Sequence, residues 1–491
     1  MSAPLPAEIN RVDPDQAWEP WKPEARDPWN PRWAAHLLRR AAFGGSPEQV
    51  ARAVRDGLGP TVKRLLEGAP GHDKTDTLLA GVGERFASGG QIEKLRGWWV
   101  YAMLHGGHPL REKLTLFWHG HFATSVAKVK SARLMYRQNQ LLRKHALGGF
   151  PALLRDVGRD PAMLVWLDSN RNVKGSPNEN YARELMELFT LGEGNYTETD
   201  VREAARAFTG WHTDDEQTAF AFNKDEHDGE AKTVLGRAGN WDGDDVVGIV
   251  LNRPACGLFL AGKLYREFIS ETPPPRALLE PLARRLRASG YKIADLVGTM
   301  LRSRLFFSAH AFQRRVKSPA EFVLGAVQAA WPGPVGTPGL AFALERIGQT
   351  LFAPPNVKGW PGGRTWLNTS FLLARNNFAE QVVLGNGVFP TAPPDEAKTP
   401  EEGKGPPGRD KPADPDPAFD VAARFTKTDP TRPADLADDL LAVFLPGCAS
   451  ANTRKQVAAY LQEGRPRGIH LRERIREAAH AVLCSAEYQL C

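Results

Sequence analysis

Cysteine is scarce in this chain: four residues among 491, Cys256, Cys448, Cys484 and Cys491, none in a CxxC pair. That excludes a disulfide framework and a cysteine zinc cluster, and it predicts buried free thiols. Long apolar runs are missing too. No stretch approaches the roughly 20 residues that span a bilayer, and the start MSAPLPAEINRVDPDQAW lacks the basic-then-apolar pattern of a secretory signal. The expected compartment is therefore the cytoplasm, with no membrane span. A strong charge excess is absent as well, since 63 basic against 57 acidic residues leave a net +6. The best basic stripe comprises Lys128, Lys130, Arg133, Arg137, Arg143 and Lys144. An exposed helix face carries such charges equally well, so no nucleic-acid partner is expected.

What is present is ordinary globular material, 42% hydrophobic and 24% charged, which excludes general disorder. Residues 1–32 are rich in proline and tryptophan without periodicity and read as an extended arm whose tryptophans dock on the body. From residue 33 the spacing turns helical, and amphipathic segments recur to about residue 387. A small hairpin is expected over 218–236, turning at Asp228-Gly229. Residues 388–417 are too rich in proline and charge to bury a core and read as a linker. Residues 418–491 return to helical spacing and are expected to pack on the core. The fold class is mainly α: a multi-helix orthogonal bundle with at most a small β-hairpin.

The densest polar segment is SPNENYARELMELFTLG at 176–192. Ser176 suits an N-cap, Pro177 the first helical position and Glu179 a capping box, so the segment reads as a helix closed by Gly192. At about 100° per residue, Glu179, Arg183, Glu184 and Glu187 share one face. A solvated face with ion pairs at four-residue spacing accounts for this pattern. So does a cleft wall offering carboxylates as metal ligands or acid/base groups.

A second motif is FWHGHF at 117–122. In an extended segment His119 and His121 point to one side and can chelate one metal, although two hydrogen-bonded core histidines fit the same residues. The third cluster is His227-Asp228 with Lys232, where a histidine beside a carboxylate suits an oriented base. Finally, Trp211, Trp360 and Trp366 follow glycine- or proline-rich stretches. There they serve either to stack on a glycan or partner or to plug the core.

Taken together, WHGHF at 118–122, LDSNRNVKGSPNENYARELMELFTLG at 167–192, YTETDVREAARAFTGW at 196–211, HDGEAKTVLG at 227–236 and LFAPPNVKGWPGGRTWL at 351–367 resemble the bacterial family known as domain of unknown function 1800. The resemblance implies a partner, a sulfatase-like protein of unknown function encoded nearby and often bearing a twin-arginine export signal. Export as that partner's passenger is then the alternative to the cytoplasm. It implies no reaction.

From the residues, the leading expectation is a metal-assisted enzyme, a hydrolase or oxidoreductase. His119, His121 and Glu184 would hold a divalent metal, with Glu187, Arg183 and His227 as catalytic groups. The alternative is a binding module that docks the exported partner or an envelope glycan through exposed Trp211, Trp360 and Trp366.

Overall fold

The computed structural model describes residues 5–331, 335–385, 420–425 and 432–491, and within them the fold is mainly α. Local signals set many helix starts. Helices Pro31–Ala41, Pro47–Asp56, Pro161–Trp166 and Pro319–Ala330 each carry proline in the first turn. The preceding Asn30, Ser46, Asp160 and Ser318 accept a hydrogen bond from a first-turn backbone N–H. Ser318 and Glu321 close a full capping box.

The helices enclose two main apolar cores. The first gathers Trp33, Trp118, Phe150, Phe189, Tyr265 and Phe306; the second gathers Trp99, Phe322, Phe352, Phe378 and Tyr488. Helix Pro109–His121 runs between them, giving Leu110, Leu114 and Trp118 to the first and Leu116 to the second. The C-terminal helices Pro433–Phe444 and Ile469–Cys484 complete the second core. The arm docks as its tryptophans suggest: Trp18 Nε1 donates to the Leu278 carbonyl at 2.8 Å, and Trp21 stacks on Phe307. The expected linker at 388–417 lies outside the described residues. No single helix among the described residues is long and apolar enough to cross a membrane.

Strand is confined to two small antiparallel pairs. β1 (Trp211–Thr213) pairs with β2 (Phe220–Phe222), and β3 (Lys232–Val234) with β4 (Arg237–Gly239). The hairpin expected to turn at Asp228-Gly229 is thus corrected, because its two arms belong to different sheets. Asp228 is held elsewhere: its carboxylate accepts from Arg206 Nε at 2.7 Å, and its own N–H donates to Thr209 Oγ1. The tight turn of the second pair is Leu235-Gly236, both at positive φ, the geometry a two-residue hairpin demands.

Buried charge is extensive and mostly paired. Glu321, 2% exposed, accepts from Lys113 Nζ, from Arg315 Nη1 at 3.0 Å and from the Ser318 N–H at 2.7 Å. Burial alone would raise its pKa, but Arg315 and Lys113 hold it well below the usual carboxylate range. Glu112 is served likewise, by Arg143 Nε at 2.7 Å and Nη2 at 2.8 Å.

Candidate functional site

The polar helix begins later than its sequence signals suggest. Ser176 does not cap it; its N–H closes a turn onto the Val173 carbonyl, and the helix runs from Asn180 to Glu184. Asn178 Oδ1 takes the Asn180 N–H instead. Leu185–Thr190 then widens into a π-helical turn, with the Leu191 and Gly192 N–H groups both donating to the Met186 carbonyl. Such inserted turns re-aim side chains and are frequent at functional sites.

Arg183 faces outward and is saturated, bonding Glu179 Oε2 at 2.8 Å and both oxygens of Glu198. It does not pair with Glu187. One turn on, Glu187 Oε2 accepts from Tyr196 Oη at 3.0 Å, and Lys358 Nζ approaches Oε1 at 3.9 Å. Glu184 lies beside them, half-buried, and no donor among the described residues reaches its carboxylate. Burial and the nearby Glu187 raise its pKa, against the opposing pull of Lys358 and Arg183.

Lys358 is delivered by the loop Pro354–Gly363, whose Asn356 Oδ1 accepts the Lys358 N–H at 2.9 Å. The next residue, Gly359, sits at φ +80°, and a Cβ there would lie 2.2 Å from the Gly120 carbonyl oxygen. The loop can cross the end of helix Pro109–His121 only because both residues at the crossing lack side chains. Trp360 then closes over Gly120 and approaches the His119 ring at 5.5 Å. Glu184, Glu187, Tyr196 and Lys358 thus meet on one ledge.

The expected histidine ligands do not join it. His119 and His121 are helical rather than extended, and two helical positions lie about 200° apart around the axis. His119 therefore enters the second core, against Trp99 and Phe352, whereas His121 enters the first, against Phe122 and Phe189. Both are buried, and burial pushes both pKa values down to about 3. His121 Nε2 pairs with the Phe189 carbonyl at 3.0 Å, inside the π turn. The ligand set His119, His121 and Glu184 is corrected accordingly. Among the described residues only His72, Asp73 and Asp76 bring three such ligand atoms together, and Arg111 already takes both oxygens of Asp76, at 2.7 and 2.6 Å.

The remaining candidates are scattered. His227 binds the Thr209 carbonyl through Nδ1 at 2.9 Å and packs on Phe222; none of these contacts leads to the glutamates. Lys232, buried nearby, donates to the Asp228 and Glu230 carbonyls. Trp211 is 5% and Trp366 6% exposed, and the half-buried Trp360 lies over a helix end, so the platform of exposed tryptophans is corrected too. Their large apolar rings fill gaps between helices. The basic stripe is largely tied down: Lys128 to Asp168, Arg137 to the Thr218 carbonyl and Arg143 to buried Glu112. Tyr196 and Lys358 escaped notice as site residues. Their only signal was membership of the segments YTETD and PPNVKGW, and neither spacing points at Glu187.

A family model described as "Protein of unknown function (DUF1800)" matches residues 36–490, nearly the whole chain. No curated protein and no solved structure matches it.

Proposed function

Because the chain belongs to the DUF1800 family, which is defined without an assigned activity, we propose from geometry alone that it is a hydrolase working through the Glu184–Glu187 pair. The observation that carries this reading is the Glu184 carboxyl, half-buried with no protein donor and raised in pKa beside a second carboxylate. Two acids whose surroundings differ divide naturally into an acid and a base. Glu184 gives its proton to the leaving group. Glu187, oriented by Tyr196 and Lys358, takes a proton from the attacking water. Lys358, exposed at the rim, offers a positive charge to an anionic or carbonyl oxygen.

A second reading keeps the divalent metal, now on Glu184 and Glu187 alone. It is favoured by the carboxylate oxygens of Glu184 having no protein partner, since hard cations select such oxygens.

One experiment separates the readings. Purified full-length protein is assayed against chromogenic esters, phosphate and sulfate esters and glycosides, before and after chelation, beside E184Q and E187Q. Turnover that survives chelation and falls at least about 100-fold in both variants supports the acid–base reading. Turnover lost on chelation and restored by a divalent ion supports the metal. Activity unchanged in both variants, or none with any substrate while Glu184 titrates at an ordinary carboxylate value by NMR, overturns the proposal.

A further inference from the structure

Away from this ledge, a cavity of about 30 Å³ lies where helix Pro31–Ala41, the segment before Ser318 and the C-terminal helices meet. Its walls include Arg39, Lys317, Glu321 and Tyr488. That volume is about twice what one ordered water requires.

The groups around it are unequal in charge. Lys317 is 4% exposed, and no carboxylate among the described residues comes within ion-pair distance of its Nζ, which sits over the Tyr488 ring. Arg39 finds only the Cys448 thiol, through Nη2, and its Nε has no partner. The Tyr488 hydroxyl, on a side chain 2% exposed, is likewise without one. Glu321 does not redress the balance, since its oxygens are already held by Lys113, Arg315 and the Ser318 N–H. Behind the wall, Arg40 leaves Nε and Nη1 unpartnered.

We propose that this cavity binds a small inorganic monoanion of chloride size, held by Lys317, Arg39 and the Tyr488 hydroxyl. Burying donors and positive charge without a counter-charge is costly, and an anion satisfies all three groups together. Without one, burial and Arg39 depress Lys317 to about 7. The ion therefore acts as a staple. It ties the helix carrying Arg39 to the short helix Ala486–Gln489 that carries Tyr488. Chloride size follows from the volume, since a tetrahedral oxyanion needs more room than two waters occupy.

The test is thermal unfolding of the full chain in low-millimolar sodium bromide against sodium gluconate at matched ionic strength. It is paired with anomalous scattering from a bromide-soaked crystal. Bromide should raise Tm by at least about 1–2 °C, with an anomalous peak beside Lys317 Nζ. The difference should vanish in K317M and shrink in Y488F; the latter removes a single oxygen and serves if K317M does not fold. Equal Tm in the two salts overturns the proposal, as does a difference that persists in both variants. A bromide peak without a Tm difference means an adventitious ion only and overturns it as well.

Discussion

Glutamate is used in opposite ways in two regions of the molecule. Between the two cores, Glu321 and Glu112 are almost fully buried, and every strong interaction open to them is made by lysine, arginine or a capped helix N–H. On the π-helical ledge, Glu184 is less buried yet has no donor, and its neighbour is another carboxylate. The first pair lies below the ordinary carboxylate range and the ledge acid above it. Burial depth therefore does not identify a reactive acid here; lack of a partner does.

The contrast can be broken most severely at Glu321. E321Q preserves the capping box, since glutamine fills that position equally well, but leaves Lys113 and Arg315 buried without their counter-charge. A loss of about 3–5 kcal/mol in urea unfolding is expected. A loss under about 1 kcal/mol would mean that the buried network is not what holds the cores together.

A smaller effect comes from the histidines between the regions. His119 and His121 have folded pKa values of about 3, below the unfolded value near 6.5. Their neutral forms contribute stability that is complete above the unfolded value and is lost as pH falls toward 3. At pH 5 the loss is on the order of 2 kcal/mol for each. Unfolding midpoints between pH 7.5 and 5 should drop in the wild type and drop less in H119F. Parallel curves would show that His119 titrates normally.

The smallest effect sharpens the comparison from the other side. E184Q removes a carboxyl that nothing holds and relieves its repulsion with Glu187, so stability should stay level or rise by up to about 0.5 kcal/mol. Calorimetry at pH 8, where the wild-type repulsion is greatest, is the measurement. A clear loss would place Glu184 among the structural acids.

How much of this was readable beforehand follows the range of the interactions. The helix starts at Pro31, Pro47 and Pro319 rest on signals within four residues, and such signals survive folding. Ser176, Pro177 and Glu179 carry equally good signals, yet Asn172 and Asn178 organise a turn there first. Gly120 misled in a similar way. It suggested a break that would leave His119 and His121 side by side, but the His108 cap and the apolar spacing through Trp118 carry the helix past it. Its lack of a side chain answers to a loop more than two hundred residues onward. The same distance hid Lys358 from Glu187, and no local pattern marks which tryptophans end inside. The pair Glu184 and Glu187 was legible as a shared face; its separation from Arg183 depended on the widened turn and on Tyr196.

That widened turn has a bearing on tolerated change. Leu185–Thr190 holds one residue more per turn than an α-helix, so deleting any residue in it would restore ordinary winding and rotate everything downstream by about 100°. The Phe189 carbonyl would leave His121, and Tyr196 would swing away from its acid. Length variation in this chain should therefore gather in its loops, and this stretch should behave as a fixed-length gauge.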